Sequence, residues 1–111
     1  MTYEKYILPL GPYQEGNLAS VDLEMDASFP MTGVGVSLQI RDTRGRLLVA
    51  KSTLEGTIQV EGARVFIALL PEDTRGRAGR HLYEIDFINL SGQPFATIGG
   101  GFEIQPEINK S

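Results

Sequence analysis

Between Val34 and Ile104 apolar residues recur at every second position, and glycines break the runs. Val34, Val36, Leu38 and Ile40 alternate with Gly35, Ser37, Gln39 and Arg41. On an extended chain this puts the first set on one face and the second on the other. Val21, Leu23 and Met25 stand in the same relation to Asp22, Glu24 and Asp26, as do Tyr83, Ile85 and Phe87 to Glu84 and Asp86, and Phe102 and Ile104 to Glu103 and Gln105. Helical spacing does not sort these residues by face. The pattern predicts about eight strands, roughly 17–26, 34–42, 46–53, 57–60, 63–70, 80–89, 94–98 and 101–105.

The segments between the runs agree. Asp42-Thr43-Arg44-Gly45-Arg46, Glu61-Gly62 and Leu90-Ser91-Gly92-Gln93 are turn formers between alternating stretches and predict hairpins. The longer stretch from Pro71 to Gly79 has room for one helical turn, with Pro71 first and Glu72 and Asp73 behind it. Many short, evenly spaced strands give an all-β fold: a single antiparallel β-sandwich, jelly-roll or Ig-like. Residues 17–106 form this sandwich, 1–16 an extended N-terminal arm and 107–111 a C-terminal tail.

Two segments depart from simple alternation. Val65-Phe66-Ile67-Ala68-Leu69-Leu70 is apolar on both faces, so it is either a central strand covered twice, the default, or a strand whose outer face meets another chain. The other is Tyr3 to Tyr13, where Tyr6, Ile7, Leu8, Leu10 and Tyr13 are apolar but Pro9 and Gly11-Pro12 bar regular helix and central strand. Such an arm either packs on its own domain or becomes ordered on a partner.

Composition narrows the function. At 111 residues the chain makes one domain that needs no staple, and with Cys 0 thiol chemistry, thiolate zinc and disulfides are excluded. A net charge of -4 argues against nucleic-acid binding. No apolar stretch reaches the roughly 20 residues of a membrane helix, and the start Met1 to Lys5 lacks the features of a signal peptide, so synthesis in a cytoplasm is expected.

Candidate chemistry is thin. His81 is the single histidine and is expected to be an exposed strand residue; serines 20, 28, 37, 52, 91 and 111 lack the Gly-x-Ser-x-Gly spacing of a nucleophile elbow. Asp22, Glu24 and Asp26 share a strand face without a calcium loop around them, which a solvated face explains. Gly99-Gly100-Gly101 is not followed by the Lys-Ser/Thr pair of a phosphate loop and suits a bulge or a close backbone approach. Arg44-Gly45-Arg46 and Arg75-Gly76-Arg77 place guanidinium pairs in loops, where they suit a partner's carboxylates. Sugar binding is open to a sandwich, although Trp 0 leaves tyrosines as stacking platforms. No catalytic residue, metal ligand or cofactor site emerges.

The stretch Val36 to Asp42, Gly45, Leu47-Leu48, Val65 to Leu69, Gly79, Tyr83-Glu84-Ile85, Gly92 and Gly101-Phe102-Glu103-Ile104 together resemble the short Ig-like modules of tailed-bacteriophage structural genes, over about 70 residues and excluding the first 30 or so. As a short chain with an arm, the sequence also resembles the small cement, or staple, proteins that decorate phage capsids. That resemblance implies a non-enzymatic virion protein, made in the host cytoplasm, that binds the outside of the shell, tethers neighbouring major capsid subunits and forms a homodimer, without direct contact to nucleic acid or membrane. The expected partner contacts are Tyr3, Tyr6, Ile7, Leu8, Leu10, Tyr13, Arg44, Arg46, Phe66, Leu70, Arg75 and Arg77. A tail or baseplate Ig-like module and a carbohydrate-binding module are the alternatives.

Overall fold

The computed structural model describes residues 4–8 and 10–106. Nine strands follow in order: β1 Glu4–Ile7, β2 Tyr13–Gln14, β3 Ala19–Glu24, β4 Gly35–Asp42, β5 Leu47–Ser52, β6 Ile58–Glu61, β7 Arg64–Leu69, β8 Gly79–Ile88 and β9 Pro94–Gln105, with one helical turn, α1 Pro71–Thr74, between β7 and β8. Each alternating run became a strand because one face had apolar area to remove from water.

Two sheets result, one ordered β1-β9-β8-β4-β5 with β2 also on β9, the other β3-β7-β6. Their inner faces share one core: Val21, Leu23, Ile58, Val65, Ile67 and Leu69 from the smaller sheet meet Val36, Leu38, Ile40, Ile85, Phe87 and Phe102 from the larger. Counted from β3, this is the B-E-D against G-F-C-C′ order of an immunoglobulin-type Greek key. That order distinguishes between the two kinds of sandwich the sequence allows.

The arm is part of the larger sheet. β1 pairs parallel with β9, Glu4 opposite Ala96 through Ile7 opposite Gly99, and β2 resumes with Tyr13 opposite Ile104. The first register ends at Ile7 opposite Gly99 and the second begins only at Tyr13, directly after Pro12, which has no ladder donor. Leu8 N–H donates to the Gly99 carbonyl at 3.0 Å, and the Tyr83 hydroxyl donates to the Leu8 carbonyl.

The glycine triplet does not end a strand; β9 runs unbroken through Gly99-Gly100-Gly101. Of the two expectations for them, the bulge is not found and the close approach is: a Cβ at Gly100 would lie 2.9 Å from the Leu8 carbonyl oxygen. The tail 107–111 and Tyr3 lie outside the described residues.

Candidate functional site

Strand direction gathers the two Arg-Gly-Arg turns at one end of the sandwich. The turn 42–46 joins β4 to β5 and the segment 70–78 joins β7 to β8, and the second is tied to the start of β5 where Arg77 Nη1 donates to the Leu48 carbonyl at 3.1 Å. Asp42 shapes the first turn by accepting the N–H groups of Arg44 and Arg46, each at 2.9 Å, and it pairs with Arg46 Nε at 3.2 Å. The Arg46 backbone hydrogen bond, ahead of the others, holds the Asp42 carboxyl below its usual range. Arg44, Arg46 and Arg75 stay exposed. Arg77 is half-buried and bound into the fold, since Nη1 also donates to the Asp73 carbonyl at 3.1 Å.

The same end holds polar groups that tie separate elements together. Lys51 is 8% exposed and meets Asp73 Oδ2 at 2.9 Å; Asp73 Oδ2 also accepts the Leu70 N–H at 2.8 Å, fixing the start of α1. Gly16 N–H donates to the buried Thr74 Oγ1 at 2.9 Å, and Gly76 N–H to Glu15 Oε2 at 2.5 Å, so β2 is tied to the segment after α1.

His81 corrects an expectation: it is buried, 6% exposed, rather than on the outer face. It shares the parity of Tyr83, Ile85 and Phe87, so the pleat turns it inward, beside Phe102 with ring centroids 5.7 Å apart. Nε2 lies 2.6 Å from the Arg77 carbonyl oxygen. A carbonyl only accepts, so Nε2 carries a proton. Nδ1 has no hydrogen-bond partner among the described residues.

β7 is covered on one face, not two. Val65, Ile67 and Leu69 are fully buried, but Phe66 is half-buried, Ala68 is exposed and Leu70 is 39% exposed. Phe66, Ala68 and Leu70 line a hollow of about 290 Å³ with Lys51, Thr57 and Gln59. The apolar strip runs toward α1, which follows Leu70 directly.

The arm residues divide. Leu10 and Tyr13 pack against the core, Tyr13 edge-to-face with Phe102 at 5.8 Å, and burial, followed by the nearby Asp22 charge, pushes the Tyr13 hydroxyl pKa up. Ile7 is 88% exposed, Tyr6 and Leu8 less so.

The opposite end carries a feature with no counterpart in the sequence pattern: a cavity of about 710 Å³ between the loop 25–34, the turn after β8 and Tyr6. Two of its aromatic residues, Phe29 and Phe95, are 66 positions apart, and only the fold brings them together. Among the described residues no group of His, Cys, Asp and Glu is placed to hold a metal ion, and no helix is long and apolar enough to cross a membrane. Comparison with protein-family models, curated proteins and solved structures finds no match.

Proposed function

We propose that this chain is a virion structural protein that binds the outside of a phage capsid and tethers neighbouring major capsid subunits, acting as a homodimer. The observations that carry this reading are the uncovered outer face of β7, Phe66-Ala68-Leu70, and the exposed Arg44, Arg46 and Arg75 in the turns at the end of the sandwich toward which β7 runs. An apolar patch rimmed by charge is what a protein interface needs: the centre supplies area to bury and the arginines supply paired donors for carboxylates. A partner that binds only the assembled shell stabilises it by mass action, and repeated copies add avidity.

The test is co-sedimentation of the purified chain with capsids lacking it. The double variants Ala68→Asp/Leu70→Asp and Arg44→Glu/Arg75→Glu change exposed side chains and leave the core intact; each is expected to abolish co-sedimentation while the circular dichroism spectrum is retained. Unchanged binding by both variants, or no binding of the wild-type chain to shells, would refute the proposal. The immunoglobulin-type strand order also supports a tail or baseplate module, which antibody labelling of tails but not capsids would favour.

A further inference from the structure

We infer that the cavity at the loop end is a binding site for a neutral sugar. Its volume, about 710 Å³, falls in the range of about 300–1,000 Å³ typical of small-molecule sites. Its aromatic surface is rigid. Phe29 stands edge-to-face on the fully buried Phe87, with centroids 5.1 Å apart, and lies tilted by 31° against Phe95 at 5.6 Å. Rings held in this way offer a fixed apolar platform for the C–H face of a pyranose. Tyr6 of β1 borders the same space.

The polar groups at the rim are equally fixed, and each keeps one functional atom in reserve. Asp26 Oδ1 accepts the N–H and the hydroxyl of Ser28 at 2.9 and 2.8 Å, which leaves Oδ2 as an acceptor for hydroxyl protons. Asn89 Oδ1 accepts the N–H groups of Ser91 and Gln93, both at 3.0 Å, which leaves the Nδ2 amide as a donor. Because both side chains are already locked, binding a ligand orders little that is free. The Ser28 hydrogen bonds, backbone first, hold the Asp26 carboxyl below its usual range, so it is an anion whenever the protein is folded near neutrality.

The charge selects the class of ligand. Among the described residues lining the cavity there is no lysine or arginine, and Asp26 is the one charged group. Phosphates, uronates and sialylated glycans would meet repulsion with no counter-charge. A neutral hexose or deoxyhexose presents what the walls ask for, hydroxyls for Asp26 and Asn89 and an apolar face for the rings. The mouth is set by contact between the loops: Leu90 leans on Gly33, whose φ is +70° and where a Cβ would come within 2.9 Å of Leu90 Cδ2. The site lies at the far end from the arginine turns and does not depend on the capsid reading.

An array of neutral hexose and deoxyhexose oligosaccharides, printed beside sialylated, uronate-bearing and sulfated ones, is probed with the full chain, and the glycans it retains are titrated by NMR. Neutral glycans are expected to bind. Thr32→Trp, at an exposed position on the cavity wall, fills the space and is expected to abolish binding. Asp26→Asn keeps the Ser28 hydrogen bonds but loses the charge, and is expected to weaken binding by about tenfold. Both variants should keep the wild-type circular dichroism spectrum and capsid co-sedimentation, which separates this site from the proposed capsid surface. Absence of neutral-glycan binding at millimolar concentration, selection of anionic glycans, or binding that survives both substitutions overturns the inference.

Discussion

The two ends of the sandwich are built on different principles. At the α1 end, hydrogen bonds and an ion pair run between elements far apart in the chain: Lys51 to Asp73, Arg77 to Leu48, Gly16 to Thr74, Gly76 to Glu15. At the loop end the polar side chains bordering the cavity bond within their own loops, Asp26 to Ser28 and Asn89 to Ser91 and Gln93, and contact between those loops is left to Phe29 and Leu90. Cross-links between elements close an end against solvent. Loops braced internally keep their shape while leaving the space between them open. One end is therefore suited to present a fixed outer surface, the other to hold something inside.

The largest effect that would break this contrast is removal of a cross-link. Lys51→Ala leaves Asp73 without its buried counter-charge and is expected to cost on the order of 3 kcal/mol in urea unfolding, whereas Leu90→Ala, at a side chain 85% exposed, should change stability by no more than about 0.5 kcal/mol. Equal losses would show that the ends are not distinct.

A smaller effect concerns the arm. Tyr83→Phe removes the donor to the Leu8 carbonyl and is expected to cost about 1 kcal/mol, with faster amide exchange confined to residues 4–8. The Tyr83 hydroxyl is pushed up to about 12 by burial, then by Tyr13, from an ordinary value of 10.0. A raised folded value favours the neutral form, so this stability is whole below pH 10 and declines as pH rises toward 12. The alkaline decline should flatten in Tyr83→Phe.

The smallest effects are acid-side. Asp42 and Asp26, one at each end, both sit below the ordinary 3.8. A lowered folded value contributes stability above 3.8 that is lost as pH falls through the folded value. Asp42→Asn and Asp26→Asn should each reduce the slope of stability against pH below about pH 4, measured by thermal melts.

The strands were legible because burial follows parity, and parity is written in the sequence. His81 and Lys51 were legible by the same rule, since they continue the inward series of Tyr83 and Val49; their polarity hid it. The placement of the arm was not legible. Tyr6, Ile7 and Leu8 reveal apolar area, but the β9 edge that receives them is set by Gly99–Gly101, whose missing side chains record only that something comes close. The outer face of β7 was half legible: its apolar residues are plain, but whether another element packs across the outside of the smaller sheet is not written in β7 itself. The cavity was illegible, because no local period links Phe29 with Phe95 or Asp26 with Asn89.

With the arm on the larger sheet, β3 is left as an outer edge of the smaller one, and its backbone would accept another strand. Its solvent face carries Ser20, Asp22 and Glu24. If two molecules joined antiparallel through β3, centred on Asp22, each Asp22 would face its own copy, a like-charge pairing that disfavours the ladder. The acidic row thus gives the chain colloidal restraint: crowded copies repel along the seam where sheets most readily fuse.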